Sequence, residues 1–190
     1  MDFILVGVGG QGTLLASNLL AQLGLINNFD VKKAEIHGMS QRGGSVISHV
    51  RWADMVYSPI ITEGSADIYI SFEQTEAVRS IGYLDPGGLA IINDHKILPI
   101  TVSSGMGVYP LKVEISNTLL DYCPNTHWVN ASEIAEEVGN QRVANLVLLG
   151  ALSMFMDISI AHWYESMSMV IPEKYLEINQ NAFNEGRKSV

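Results

Sequence analysis

At 190 residues the chain carries 20 acidic against 11 basic side chains, a formal net charge of −9, which opposes association with nucleic-acid backbones and anionic membrane surfaces. Its 47% hydrophobic content suits a single globular domain with a substantial core, expected over residues 1–190. The one cysteine, Cys123, excludes an internal disulfide and falls short of the roughly four thiolates that normally hold an iron–sulfur cluster.

The chain enters a strand-like run at once, with no basic segment ahead of it, so a cytoplasmic protein without a secretory signal is expected. That run, FILVGVGGQG at residues 3–12, joins apolar residues directly to Gly7, Gly9 and Gly12 in a G-x-G-x-x-G spacing. A helical pattern follows through Leu14, Leu15, Asn18, Leu19 and Leu23. Strand, glycine turn and helix in this order create a close backbone approach above the turn, with helix N–H groups pointing at the same spot. The same arrangement also serves simple packing of a helix on a sheet, so the motif by itself leaves both roles open.

Residues 31–36 read as a second strand and residues 45–52 as a third, joined by the polar, glycine-rich loop 37–44. Residues 66–72, ADIYISF, form another β-rich run, and residues 73–81 have helical spacing. Asp85-Pro86-Gly87-Gly88 is expected to turn the chain into an apolar strand at 89–92. A helix over 112–122, a short strand over 126–130 and a helix over 131–138 follow. Ser132 is the expected N-cap of that last helix, with Glu133, Glu136 and Glu137 suited to its dipole. From Gln141 onward the pattern is helical. The longest apolar run, 143–156, is broken by Asn145, Gly150 and Ser153 and falls short of the roughly 20 residues of a bilayer span. Pro172 interrupts the last helices and starts a terminal one from Glu173 to about Glu185.

Strands alternating with helices, several strands being apolar throughout, predict an α/β fold. The expected form is a Rossmann-like doubly wound, mainly parallel sheet with helices on both faces and a helical C-terminal region. In such a sheet the loop after the second strand leaves the same carboxyl edge as the first glycine turn, where ligands gather. The segment 35–44, EIHGMSQRGG, there offers a carboxylate, an imidazole and a guanidinium around three glycines. Arg42 can pair with a carboxylate or phosphate, and Ser40 and Gln41 can add directional hydrogen bonds. The binding candidates are therefore Gly7, Gly9, Gly10, Gln11 and Gly12 of the first loop. From the second they are His37, Ser40, Gln41, Arg42, Gly43 and Gly44.

Glu35 lies about where a dinucleotide fold places its ribose-binding acid, roughly 20 residues beyond the glycines, which keeps a free-standing NAD(P)- or FAD-binding oxidoreductase open. Lys32 and Lys33 are expected to face solvent. His95, His127 and His162 are scattered without metal-ligand spacing and read as structural or surface residues. The methionine-rich segment 154–169 reads as adaptable packing. No phosphate-loop, H-E-x-x-H or G-x-S-x-G signature is present, and no catalytic residue or metal ligand is assigned.

Two motifs together point to a family. GVGGQGTLLAS at 7–17 and EIHGMSQRGGSVISHVR at 35–51 resemble the gamma-type domain of 2-oxoacid:ferredoxin oxidoreductases, the likeness continuing through DPGGLAIIND at 85–94 and GNQRVANLVLLGAL at 139–152. Gly38-Met39-Ser40-Gln41 stands where pyruvate and branched-chain gamma subunits carry a G-P-E type of segment, which makes the chain most similar to the small (beta) subunits of the indolepyruvate branch. The resemblance implies oxidative decarboxylation of an arylpyruvate with coenzyme A as co-substrate and ferredoxin as electron acceptor. It places thiamine diphosphate, Mg and iron–sulfur clusters in a large partner subunit, so that this chain binds no cofactor alone and completes the partner's active site or coenzyme A pocket. A gamma subunit serving pyruvate or 2-oxoglutarate is the neighbouring expectation.

Overall fold

In the computed structural model, which describes residues 1–38 and 44–190, the first strand β1 (Asp2–Val8) leads through the glycine turn into α1 (Thr13–Ile26). A hairpin of β2 (Asp30–His37) and β3 (Ser45–Ala53) follows, then β4 (Ala66–Ser71), α2 (Gln74–Ser80) and β5 (Leu84–Asn93). The short α3 (Ile100–Ser103), α4 (Lys112–Tyr122), β6 (Thr126–Val129) and α5 (Ala131–Val138) complete the sheet region. The C-terminal region is α6 (Ala144–Ser153), α7 (Ile160–Val170) and α8 (Glu173–Arg187).

The six strands form one sheet in the order β2-β3-β1-β4-β5-β6. Pairing is parallel from β1 through β6 and antiparallel on both sides of β3. Strand β3 therefore runs against the other five and lies between β1 and β2. The sheet is mainly parallel, as predicted, with this one reversed strand inserted.

Strand alternation sends side chains to two separate cores. Phe3 and Leu5 of β1, with Ile68 and Ile70 of β4, join α1, α5, α6, α7 and α8 in one cluster. Ile4 and Val6, with Tyr69, Ala90 and Ile92, meet α2 and α4 in the other. Helices thus cover both faces. On the larger side α6 and α8 touch backbone to backbone, because a Cβ added at Gly150 would lie 2.0 Å from the Phe183 carbonyl oxygen, and one at Gly186 2.0 Å from that of Val147. Among the described residues no helix is long and apolar enough to cross a membrane.

Three local expectations are corrected. Asp85–Gly88 is not a turn ahead of the strand but lies inside β5, whose register shifts against β4 between Ala66 and Ile68. The N-cap of α5 is Asn130 rather than Ser132; the Ser132 hydroxyl accepts from Asn93 Nδ2 at 3.2 Å instead. Lys33 does not simply face solvent, since it forms a 2.8 Å ion pair with Glu35 beside α1.

Candidate functional site at the carboxyl edge of the sheet

The glycine turn follows β1 at the centre of the sheet. Gly12, the N-cap of α1, has φ +83°, and a Cβ there would sit 2.5 Å from Asn145 Nδ2, so both backbone conformation and space require glycine. The Asn145 amide donates to the Gly12 carbonyl at 3.3 Å and ties α6 to the turn. No side chain caps α1 and its first turn holds no acid, so the positive end of its dipole is open.

Gln11 is committed locally. Its Oε1 accepts from the Val8 N–H at 2.7 Å and its Nε2 donates to the Phe72 carbonyl at 2.9 Å, fastening the turn to the end of β4. Gly7 makes room for this staple, because a Cβ there would meet Gln11 Oε1 at 2.8 Å and Phe72 Cβ at 2.9 Å.

The second glycine-rich segment reaches the same place. The Gly9 N–H donates to the Gly44 carbonyl at 2.9 Å, and the Gly38 N–H donates to the Ser45 carbonyl at 2.8 Å. Both ends of the β2–β3 connection thus stand at the carboxyl edge, one bonded directly to the glycine turn. His37 is exposed, 3.4 Å from Glu35, and lines a groove of about 540 Å³ with Gly9, Gly10 and the first turn of α1. Ser40, Gln41, Arg42 and Gly43 lie outside the described residues.

Glu35 is engaged elsewhere. One carboxylate oxygen takes the Lys33 ammonium at 2.8 Å and the Ser17 hydroxyl at 3.4 Å. The insertion of β3 also sets β2 one strand further from the glycine turn than a nearest neighbour would be. A ribose diol at the turn would therefore find this acid paired and displaced, which removes the physical basis for the dinucleotide-binding alternative.

On the other side of the turn a cleft of about 470 Å³ opens between β1, β4 and β5 and the α5–α6 connection. Gly10 and Phe72 form its floor, Asn93 to His95 one wall, and Glu133, Glu136 and Arg142 the other. Sequence reasoning assigned none of Asn93, Asp94 and Arg142 to a site. Asp94 accepts from Gln74 at 2.6 Å and pairs with Lys112. Glu136 accepts from the Gln141 amide.

Below this edge, the buried Glu73 caps α2 by accepting from the Thr75 and Glu76 N–H groups at 2.6 and 2.9 Å. Its other oxygen accepts from the Ile97 N–H at 3.0 Å and the Tyr109 hydroxyl at 2.5 Å, pinning the long connection between β5 and α4. Burial first, and the Glu73 carboxylate second, hold the Tyr109 phenol well above its ordinary range.

Over residues 2–189 the chain matches the family described as pyruvate ferredoxin/flavodoxin oxidoreductase. It belongs to that family. The indolepyruvate oxidoreductase subunit IorB of Pyrococcus horikoshii is 40% identical over 99% of this chain and 95% of that protein. The subunit of the same description from Archaeoglobus fulgidus is 39% identical over 98% and 93%. Among solved structures, the gamma subunit of a keto/oxoacid ferredoxin oxidoreductase from Geobacter sulfurreducens shares the fold with a TM-score of 0.73 at 22% identity, over 99% of this chain and 96% of that one. A 2-oxoglutarate:ferredoxin oxidoreductase from Magnetococcus marinus, solved with 2-oxoglutarate, coenzyme A and succinyl-CoA, shares it with a TM-score of 0.74 at 20% identity. That match covers 99% of this chain and 30% of the longer one. The fold is thus found both as a separate subunit and within a longer chain.

Proposed function

We propose that this chain is the small subunit of an indolepyruvate-type 2-oxoacid:ferredoxin oxidoreductase of the cytoplasm, and that its two glycine-rich loops close the large subunit's active site or coenzyme A pocket. The observation that carries this reading is the Gly9 to Gly44 hydrogen bond, which joins the two loops at the sheet edge where α/β folds bind ligands. The full-length similarity to indolepyruvate oxidoreductase subunits supports the choice of substrate. The reaction converts an arylpyruvate, coenzyme A and oxidised ferredoxin into an aryl-acetyl-CoA, carbon dioxide and reduced ferredoxin.

The division of labour follows from the donor set. Cys123 is buried and its thiol donates to the Gly88 carbonyl, and among the described residues no group of His, Cys, Asp and Glu is placed to hold a metal. One buried thiol falls short of the roughly four that hold an iron–sulfur cluster, and this reading assigns thiamine diphosphate, Mg and the clusters to the partner. The contribution of this chain is positional: Gly7 to Gly12 allow close backbone approach, the open α1 terminus favours an anionic group, and Arg42 supplies positive charge toward a carboxylate or phosphate.

The test is anaerobic co-expression with the large subunit, followed by assay of coenzyme A-dependent dye or ferredoxin reduction with indolepyruvate, pyruvate and 2-oxoglutarate. Indolepyruvate is expected to give the highest kcat/KM, and Arg42→Ala to raise a substrate KM or lower turnover in an intact complex. An Arg42→Ala complex with unaltered assembly, KM and turnover refutes the active-site role, and a preference for pyruvate or 2-oxoglutarate refutes the substrate.

A further inference from the structure

The connection between β5 and α4 carries a run of exposed apolar side chains: Leu98, Met106 and Val108, followed by Leu111 and Val113 at the start of α4. Met106 is 76% and Val108 92% exposed. Single exposed apolar residues are ordinary on a surface, whereas five within one short segment mark an interaction site.

This segment is also held firmly. Glu73 is fully buried, and the same carboxylate oxygen accepts from the Ile97 N–H at 3.0 Å and from the Tyr109 hydroxyl at 2.5 Å. One buried oxygen therefore closes the base of residues 98–108, which form a compact loop of the Ω kind. Inside it the Val102 and Ser103 N–H groups donate to the Pro99 carbonyl at 3.0 and 2.9 Å, and the Met106 N–H donates to that of Thr101 at 2.8 Å. A loop fixed at its base and bonded within loses little freedom when a partner covers its tip.

The position and charge of the loop select the partner. It leaves the carboxyl end of β5, and Asp94 and His95 just ahead of it line the cleft beside the glycine turn. A body that closes over this edge of the sheet meets the loop as well. Residues 95–113 contain no Asp or Glu, although the chain carries a net charge of −9. That overall charge opposes both a second copy of the chain and an anionic lipid surface. Alongside the loop, α2 and α4 leave a groove of about 300 Å³ lined in part by Val78, Pro110 and Ile115. Knob and groove together suit the interlocking surface of another protein.

We propose that the 98–108 loop is a preformed docking knob for the large subunit, with Met106 and Val108 entering an apolar pocket of that subunit and Leu98, Leu111 and Val113 extending the contact. The inference rests on the functional reading above, which sets the large subunit over the carboxyl edge, and adds to it an anchor separate from the glycine loops.

The test uses the complex made by anaerobic co-expression. Met106→Asp combined with Val108→Asp places two charges where docking would have to desolvate them, and is expected to raise the Kd for assembly at least about a hundred-fold in a dilution series followed by mass photometry. Alanine at both positions removes contact area without adding charge and should raise it about ten-fold. Because both side chains are exposed, the free variant chains are expected to keep the wild-type Tm. Tyr57→Asp is the control: Tyr57 is exposed on the connection after β3, at the opposite edge of the sheet, and its replacement should leave the Kd unchanged. With the small chain in excess, the aspartate variant should regain wild-type kcat, since the knob touches no reactant. An unchanged Kd in the aspartate variant overturns the proposal; if the wild-type complex oxidises indolepyruvate in the same experiment, the functional reading stands. Self-association of the free chain that the aspartates abolish, with the Kd for the large subunit held, gives the loop to a second copy and equally overturns it. Failure of the wild-type chain to form any complex with the large subunit overturns both.

Discussion

Gly150→Ala is the sharpest test of how the C-terminal helices support the site. On helix propensity alone, alanine in place of a mid-helix glycine stabilises by about 1 kcal/mol. The structure reverses the sign. The new Cβ would lie 2.0 Å from the Phe183 carbonyl oxygen and 2.9 Å from its carbon, whereas non-bonded heavy atoms need roughly 3 Å or more. Helices α6 and α8 must therefore part by about 1 Å. Both are held: α6 is buried from Asn145 to Ser153, and α8 packs Phe183 against Trp163 with ring centroids 5.3 Å apart. Overpacking of this kind costs about 1–3 kcal/mol, and the backbone contact places it at the upper end. After the propensity gain the net loss is about 2 kcal/mol, a fall in Tm of roughly 4–8 °C for a chain of this size. Urea titration of the full chain followed by circular dichroism measures it, with an unchanged m-value showing that the denatured state is unaltered. Gly82→Ala is the control, since nothing lies within 4 Å of its added Cβ. A Gly150→Ala protein as stable as wild type, or more so, refutes the packing argument.

Gly12→Ala should destabilise by about 2 kcal/mol or more, combining the left-handed backbone penalty with the clash against Asn145. Asn145→Ala in the same chain should return the clash part and leave the backbone part, giving a coupling in a double-mutant cycle; strict additivity would mean that the two residues do not press on each other. His49 gives a pH dependence. It is buried and accepts from the Ile61 N–H at 3.2 Å, and burial lowers its pKa below the ordinary 6.5. The folded state thus resists a proton that the unfolded chain accepts, so its contribution is intact above pH 6.5 and falls as pH drops below that value. Urea midpoints between pH 7.5 and 5 should decline less steeply in His49→Gln than in wild type, and parallel curves would refute the assignment. Tyr109 acts at the other end of the scale. Its raised pKa means that the unfolded chain loses the phenolic proton first, so stability is full below about pH 10 and falls above it. Tyr109→Phe should flatten that alkaline decline while costing about 1–3 kcal/mol at neutral pH through the hydrogen bond lost to the buried Glu73; an alkaline decline as steep as wild type would show that Tyr109 does not report it.

What could be read from sequence was what lies close together in the chain. Residues 3–12 specify strand, turn and helix through neighbours alone, and the structure places them as the spacing implies. The reversed direction of β3 was not among the sequence expectations, although a length argument points to it: the connection from residue 37 to 45 is far too short for the dozen or more residues of a parallel crossover, which favours an antiparallel hairpin. Strand order was not legible, because nothing in residues 31–52 states that β3 rather than β2 pairs with β1, and that choice decides the fate of Glu35. The cleft is harder still. Its turn comes from Gly10 and its walls from Asn93 and Arg142, which only the sheet brings together. A faint signal existed at Asn93, the polar residue ending the apolar run 89–92, since a buried strand that closes on an amide must hydrogen-bond it somewhere. Arg142 had none, because an exposed arginine next to a helix start looks like any surface cation until the fold sets it at the wall of the cleft. A local motif therefore locates the edge at which a site forms, while the charges that decide its ligand depend on which of them the rest of the fold leaves unpaired.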